Sequence, residues 1–327
     1  MKAAPLSKLK SYQNILFISP NRIGDSVIAS GIIGEINRRW PQAQITVAVS
    51  GMAAAFYRSA PNVVETIIVN KEKRGGHWLK LWRAVSGRKW DVVIDTRGSA
   101  VAFLVRTRER YVYSQALEKG DPKVNVITRL MHASETLEPE LYIDDQARAE
   151  AGRMLDPQLA QGAGEGPILA LAPIAHQKGK SWPSDRWAAL VAKLKVEPRF
   201  EGWRFMLVGG PGDHAPAAPA LKEADDRGID FVGKGDILCS AAAIDRADLF
   251  VGNDSGLMHV SAASGTPTLG LFGPTEWWLY GPRGAKTATV ASNNTRGQFA
   301  PIEDLSVEAV YEAVLRLYDA YYERPQK

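Results

Sequence analysis

The sequence predicts an α/β protein with two Rossmann-like halves, each a parallel sheet with helices on both faces. Apolar strand-like runs alternate with helical segments, and a glycine-rich linker at 161–166 separates two such series. A length of 327 residues also fits two domains better than one. We therefore expect domains at 1–160 and 161–327, with a cleft between the carboxyl ends of the two sheets.

The first half begins with a buried strand at 14–19 and a helix at 27–39, which Pro41 ends. Short apolar runs bounded by turn residues predict the later strands, and amphipathic runs between them predict helices. These strands are placed at 44–49, 63–69, 91–95 and 111–113, and the helices at 52–59, 77–85 and 99–107. Residues 133–166 are less regular, so we expect a connection there that ends in the linker.

The second half repeats the alternation of strands and helices. Its strands are predicted at 168–174, 204–208, 229–232, 247–251 and 268–272. Its helices are predicted at 184–194, in the stretch before 227, and at 236–244, 257–264 and 307–322. Ser184 is expected to cap the first of these helices, and Gly265 to end the helix at 257–264.

Charge is distributed unevenly between the two halves. Residues 1–160 contain 23 Lys and Arg against 16 Asp and Glu, a net of +7, whereas the remainder carries −3. The basic half predicts an anionic partner, and an anionic lipid or a phosphorylated glycan fits equally well. Nucleic acid is not expected, because neither a basic helix nor an aromatic RNA-binding signature is present.

Several classes of site and location are disfavoured by composition. The lone Cys239 excludes an intramolecular disulfide and a cysteine-rich zinc site, and the scattered histidines give no metal-ligand spacing. No GxGxxG, Walker or GxSxG pattern is present. No run approaches 18 apolar residues, and no cleavage pattern for a signal peptide is visible, so we expect a cytoplasmic protein without a metal or cofactor.

In each half, one turn at the end of a strand contains candidate catalytic or ligand-binding residues. The sequence Arg22-Ile23-Gly24-Asp25-Ser26 follows the first strand, where α/β proteins bind ligands. Asp25 either caps the following helix or acts as a general base, since an aspartate with a pKa near ~3.9 is ionised at neutral pH.

The turn at 252–256 leads into a short helix whose first N–H groups form a ready phosphate site. Asn253, Asp254 and Ser255 are all favourable N-cap residues, and Gly256 allows a ligand close to the backbone. His259 lies one turn further along the same face. It is either a ligand-facing residue or a buried structural histidine.

Three further candidates lie in loops after strands of the second half. Lys180 offers a mobile point charge for a phosphate, or is simply a solvated loop lysine. His176 is a candidate base or phosphate donor. Asp213 either accepts ribose hydroxyl groups or belongs to a plain helix-capping turn.

The order of these motifs resembles the family nine glycosyltransferases, the ADP-heptose:lipopolysaccharide heptosyltransferases. The matching pieces are RIGDS, DTRG after the fourth strand, the K-x-W-P sequence at 180–183, and NDSGLMH followed by TP and LFGPT. The resemblance covers nearly the whole chain. It implies a GT-B fold, with an N-terminal acceptor domain, a C-terminal nucleotide-sugar domain and a final helix packing back toward the first domain.

The resemblance also implies roles for individual residues. Asp25 matches the family's catalytic aspartate, and Lys180 its pyrophosphate lysine. Asp254, Ser255, Gly256 and His259 match the nucleotide-sugar loop. His176 and Asp213 are added as donor contacts from their positions after strands of the second half, and not from the resemblance. Arg22 and Arg97 are assigned to the acceptor. Arg97 stands where Gln is common, and His176 where small hydroxyl residues occur.

The implied reaction is an inverting transfer of heptose from ADP-heptose to the lipopolysaccharide inner core, in which Kdo and heptose are attached to lipid A. This reaction implies peripheral contact with the cytoplasmic face of the inner membrane, without nucleic acid. Three alternatives remain open: transfer from another nucleotide sugar, a nucleotide-sugar epimerase or hydrolase, and a noncatalytic nucleotide-sugar sensor.

Overall fold

The computed structural model describes residues 12–161 and 166–322. The described residues form two compact units, which divide between Tyr142 and Ile143. The division precedes the expected boundary at 160/161. The reason is a helix missed in the irregular stretch, α6 (Asp145–Leu159), which packs against α9 (Ile237–Asp245) of the second unit. Four residues of the expected linker, 162–165, lie outside the described residues.

The first unit contains a five-stranded parallel sheet in the order β3-β2-β1-β4-β5. The strands are β1 (Asn14–Ile18), β2 (Gln44–Val49), β3 (Val63–Ile68), β4 (Lys89–Asp95) and β5 (Arg106–Val112). The α-helices are α1 (Ile23–Ile28), α2 (Gly31–Arg39), α3 (Gly76–Val85), α4 (Val101–Leu104) and α5 (Lys123–Leu130). Apolar side chains of β1, β2 and β4 are fully buried, as expected for a sheet covered on both faces.

Four local predictions in this unit differ from the structure. The helix expected at 99–107 is only the single turn α4, and β5 begins at Arg106 instead of 111. Exposure alternates along β5, as it does in an edge strand with one solvated face. The helix expected at 27–39 is interrupted at Ser30, whose hydroxyl donates to the Val27 carbonyl (2.6 Å) and accepts from the Glu140 amide. The segment expected as a helix at 52–59 is a 3-10 helix (Gly51–Tyr57).

The second unit contains a six-stranded parallel sheet in the order β11-β10-β9-β6-β7-β8. Its strands are β6 (Ile168–Ala172), β7 (Arg204–Gly209), β8 (Gly228–Val232), β9 (Leu249–Asn253), β10 (Thr268–Phe272) and β11 (Thr287–Ala291). Its remaining α-helices are α7 (Ser184–Val196), α8 (His214–Ala224), α10 (Gly256–Ser264), α11 (Trp277–Tyr280) and α12 (Val307–Tyr321). The edge strand β11 was not predicted. Ser184 is the first residue of α7 and Pro183 takes the cap position, so the predicted cap is wrong.

Helix α12 packs against α7 and against strands β9, β10 and β11 of its own unit. Its buried stripe joins an aromatic cluster in which Tyr318 contacts Phe200 and Trp203. Aromatic side chains of this size dominate the energetics of a core. The expected packing of this helix back toward the first domain stays a prediction. None of the described helices is long and apolar enough to cross a bilayer.

Candidate functional site

The entrance to α10 leaves backbone donors unused. Strand β9 ends at Asn253, and Ser255 occupies the N-cap position with an extended backbone (φ −146°, ψ 173°). The Ser255 hydroxyl makes no capping hydrogen bond, and its oxygen is buried without a partner among the described residues. The first N–H groups of α10, starting at Gly256, therefore point toward a position that an anion can occupy.

Asp254 connects this turn to two other strand ends. Its side chain is 7% exposed, and one carboxylate oxygen, Oδ2, accepts hydrogen bonds from Lys180 Nζ (2.6 Å) and Thr275 Oγ1 (2.7 Å). A buried carboxylate that accepts from both an ammonium and a hydroxyl is held in one orientation. The predicted residues Lys180 and Asp254 are thus in direct contact at the entrance to α10.

The loop that carries Lys180 is fixed on both sides of the lysine. Ser181 Oγ donates to the Ala175 carbonyl (2.9 Å), and the Ala175 amide donates back to that hydroxyl (3.0 Å). The next residue, Trp182, is buried, and its backbone N–H donates to Asn253 Oδ1 (3.1 Å). Lys180 is therefore not a solvated loop lysine. Its ammonium also lies 5.9 Å from the centre of the Tyr280 ring.

Asp213 and His176 meet at the neighbouring strand ends, after β7 and β6. Asp213 is 6% exposed, and its Oδ2 accepts from the Gly210 amide (2.7 Å). It takes the N-cap position of α8 without a side-chain cap bond, so its carboxylate is not committed to the helix. His176 Nε2 lies 3.5 Å from the other carboxylate oxygen, Oδ1, while the imidazole itself is largely solvent-exposed.

His259 lies within the first turns of α10 and is 6% exposed. It already has an interaction within the chain, as expected of a buried histidine. Gly265 ends the helix in the left-handed conformation (φ 89°), as predicted.

In the first unit, Asp25 lies in the first turn of α1 and is half-buried. The N-cap residue is Arg22, and the helix start has no side-chain cap hydrogen bond. The Asp25 carboxylate forms no hydrogen bond or ion pair with the described residues, so it is not a helix cap. It remains available to a ligand at the carboxyl end of β1. Arg22 is exposed beside it.

Arg97 occupies the turn after β4, next to the end of β1, because Ile18 and Asp95 are partners across the two strands. Its guanidinium lies over the Trp78 ring at 4.1 Å, a cation–π contact that fixes its direction. Burial lowers the pKa of Arg97, and the nearby Asp95 opposes that shift. Its Nη1 is buried without a hydrogen-bond partner among the described residues. Arg97 thus presents an unused donor at this strand end.

The turn itself is built by Asp95. This buried carboxylate accepts from the Arg97 amide (2.8 Å) and from both the amide (2.8 Å) and the hydroxyl (2.6 Å) of Ser99. Burial raises the pKa of Asp95, and these hydrogen bonds oppose the rise. Gly98 has φ +63°, and a Cβ there would lie 2.9 Å from the Tyr113 carbonyl oxygen. The DTRG sequence therefore fixes the backbone from which Arg97 projects.

Sequence reasoning missed two residues that shape these sites, Thr275 and Trp78. Thr275 belongs to the LFGPT piece, but its bond to Asp254 spans 21 residues and is invisible locally. Trp78 was noted only as part of a helix. In the part of the chain that the structure describes, no group of three His, Cys, Asp or Glu side chains is arranged to hold a metal ion.

Comparisons with known proteins identify the family of this chain. The model of glycosyltransferase family 9 (heptosyltransferase) matches residues 78–301. Lipooligosaccharide heptosyltransferase 2 of Campylobacter jejuni is 25% identical over 273 residues, which cover 80% of this chain and 82% of that protein.

Two solved structures share the fold over almost the whole chain. The family 9 glycosyl transferase of Veillonella parvula has 19% identity and a TM-score of 0.80, covering 95% of this chain and 98% of its own. The ADP-heptose LPS heptosyltransferase II of E. coli has 20% identity and a TM-score of 0.76, and the match covers 94% of this chain and 99% of that chain. The expected GT-B fold, with two Rossmann-like domains, is confirmed. Because the family model matches more than half of its length, the chain belongs to glycosyltransferase family 9 and is a glycosyltransferase.

Proposed function

We propose that this protein transfers the heptose of ADP-heptose to a hydroxyl group of the lipopolysaccharide inner core, with inversion at the anomeric carbon. Family membership and the named activity of the Campylobacter relative support the reaction class. The observation that carries the proposal is the Lys180–Asp254–Thr275 cluster beside the uncapped start of α10. Such a cluster suits a diphosphate whose negative charge grows as it leaves.

The donor is held by groups of the second unit. An ammonium has three N–H donors, and Asp254 uses one of those on Lys180, so the others can bind phosphate oxygens. The N–H groups at Gly256 add the positive end of the α10 dipole. Asp213 would accept hydrogen bonds from ribose hydroxyls, and His176 would donate to a phosphate. Ser255 and His259 complete the loop around the nucleotide sugar.

The acceptor is activated by the first unit. Asp25 takes the proton from the acceptor hydroxyl while that oxygen forms a bond to the anomeric carbon. The bond between the anomeric carbon and the diphosphate oxygen breaks in the same step, and ADP leaves with the electron pair. A single displacement of this kind inverts the configuration and needs no covalent enzyme intermediate.

Arg22 and Arg97 would bind the anionic groups of the acceptor. The free Nη1 of Arg97 supports this role, because a buried guanidinium donor gains most from a carboxylate or phosphate oxygen. Kdo carboxylates and inner-core phosphates both supply such oxygens. The acceptor is attached to lipid A, so we propose that the protein works at the cytoplasmic face of the inner membrane as a peripheral protein.

Product analysis tests the proposal directly. The protein is incubated with ADP-heptose, with and without a truncated, deacylated inner-core acceptor, and the products are resolved by mass spectrometry and NMR. We expect one heptose residue to be added in the inverted configuration, and ADP to be released only when the acceptor is present. Free heptose or an epimerised sugar without acceptor would contradict transfer, and so would donor binding without turnover. Preference for a different nucleotide sugar would overturn the donor assignment.

A further inference from the structure

A second basic region lies on the first unit, at the opposite ends of the strands from Asp25 and Arg97. It is a recess of about 470 Å³ at the amino ends of β1, β4 and β5. Its cations are Lys89, Arg106 and Arg108, and all three side chains are exposed. Nothing in the proposed reaction uses this region.

Strand register places these cations on one face of the sheet. Lys89 is the Cα partner of Arg106, and successive side chains along a strand point to opposite faces. The two side chains therefore share a face with Arg108, whose guanidinium pairs with Asp91 at 3.1 Å. The carboxylate of Asp91 is further satisfied by two backbone amides at the start of β1.

Helix α4 covers the same face. Arg110, which follows Arg106 and Arg108 at two-residue spacing, donates to the carbonyls of Ala102 (2.8 Å) and Val105 (3.1 Å). The end of α4 therefore lies on the face that carries the arginines, and it runs directly into Arg106. Along the described chain, neither Lys89 nor Arg106 forms an ion pair, so their charges are available to a partner.

Two large apolar side chains end helix α4, just before Arg106 in the chain. Phe103 and Leu104 are each 64% exposed in the full chain. Exposed apolar residues are common singly, but two adjacent ones next to a cluster of cations form a mixed surface. We call Lys89, Phe103, Leu104, Arg106 and Arg108 the basic–apolar patch.

We propose that the basic–apolar patch docks the protein on an anionic lipid bilayer. Cations near such a surface are attracted to the headgroups, while aromatic and aliphatic side chains insert at the boundary with the acyl chains. The combination favours a bilayer over nucleic acid, because a phosphate backbone offers no apolar layer for Phe103 and Leu104. The inference rests on the proposed function only in that a lipid-anchored acceptor gives the docking a purpose.

Vesicle co-sedimentation of the full chain, without donor or acceptor, tests the patch separately from the reaction. We expect binding to phosphatidylcholine vesicles that contain a quarter phosphatidylglycerol, and little binding to phosphatidylcholine alone. Raising the salt from about 0.1 M to about 1 M shortens the screening length from roughly 10 Å to 3 Å, and should release most of the protein.

Two double variants separate the cationic from the apolar contribution. Lys89→Ala with Arg106→Ala should weaken partition onto anionic vesicles roughly fivefold for each cation removed. Phe103→Ser with Leu104→Ser should weaken it by at least about tenfold, and this loss should persist at low salt. Because all four side chains are exposed, we expect both variants to fold normally. Unchanged circular dichroism and melting temperature will check this.

Matched controls lie on the second unit. Val196 is 82% exposed, and Val196→Ser should leave partition unchanged. Lys222→Ala removes an exposed cation of the second unit, which is not part of the patch, and should have no effect. Equal binding of the patch variants and the parent would overturn the proposal, as would equal binding to neutral and anionic vesicles. Absence of vesicle binding would also overturn it, even if transfer to a soluble acceptor is intact. So would binding of the patch to duplex or single-stranded oligonucleotides in place of vesicles.

Discussion

The strand ends of the two units differ in how far their charged side chains are already paired. In the second unit, the carboxylate of Asp254 is buried and bonded to both Lys180 and Thr275. In the first unit, the Asp25 carboxylate has no such partner, and Arg97 keeps an unused donor. The groups of the second unit are therefore fixed before a ligand binds, whereas those of the first unit still have hydrogen-bonding capacity for a ligand.

This difference follows from the tasks that we propose for the two sites. A diphosphate gains charge during the reaction, and donors that are fixed beforehand stabilise it without reorganising. A general base must accept a proton, and a carboxylate already bonded to a cation is a weaker base. We therefore expect substitutions in the second unit to affect binding and stability together. Substitutions in the first unit should affect turnover or acceptor affinity alone.

The largest expected effect is that of Asp25→Asn. The amide cannot take the acceptor proton, so kcat should fall by roughly 10²- to 10⁴-fold. The melting temperature should not change, because the carboxylate has no partner to lose. Asp185→Asn is the matched control, since Asp185 is an exposed acid in the first turn of α7. Activity of Asp25→Asn close to that of the parent would remove this residue from the role of base.

Lys180→Ala should affect both binding and stability. Loss of a charge-assisted hydrogen bond to the diphosphate should weaken ADP-heptose binding roughly 10- to 100-fold in a fluorescence titration. The Asp254 carboxylate, 7% exposed, would lose its cation, which should cost about 1–2 kcal/mol and lower the melting temperature by about 2–8 °C. Lys178→Ala, an exposed lysine in the same loop, should change neither quantity. An unaltered melting temperature would show that the Lys180–Asp254 pair contributes little to the stability of the fold.

Arg97→Gln should weaken binding of the acceptor and leave the donor site unaffected. The amide is shorter and neutral, so KM for the anionic acceptor should rise by about tenfold, while kcat and donor affinity stay nearly constant. Trp78→Leu should raise the same KM by less, because the guanidinium remains but loses the ring that fixes its direction. Steady-state kinetics with a phosphorylated and a dephosphorylated acceptor will show whether Arg97 binds an inner-core phosphate or a Kdo carboxylate. An unchanged KM for both acceptors would exclude Arg97 from acceptor binding.

Thr275→Val should give the smallest effect of the series. The substitution keeps the shape of the side chain but removes the hydroxyl that donates to Asp254. Loss of one such hydrogen bond is worth about 1 kcal/mol, so donor affinity should fall roughly fivefold. Thr275→Ser restores the hydroxyl and should recover most of the affinity. Equal affinities of the Val and Ser variants would show that the hydroxyl does not position Asp254.

The patterns that could be predicted from the sequence are those with a local cause. The turn before α10 was predicted because small polar residues and glycine follow an apolar run, and α10 ends at Gly265 as expected. Helix α6 was missed because polar residues and Pro157 weaken its apolar pattern. The first part of strand β5, before residue 111, was missed because its alternating charges suit an edge strand as well as a helix.

Long-range pairing explains the remaining failures. Lys180 and Asp254 are 74 positions apart, and only the order of β6 and β9 in the sheet brings them together. The sequence placed both residues at strand ends but could not say that they bond. The stacking of Arg97 on Trp78 likewise depends on how α3 lies against the end of β4.

The most direct test of the difference between the two sites is a calorimetric titration of ADP into the parent, Asp25→Asn, Lys180→Ala and the double variant. We predict the same Kd for the parent and Asp25→Asn, and a Kd raised to the same extent in Lys180→Ala and the double variant. A loss of ADP affinity in Asp25→Asn comparable to that in Lys180→Ala would contradict the division of the two tasks between the units.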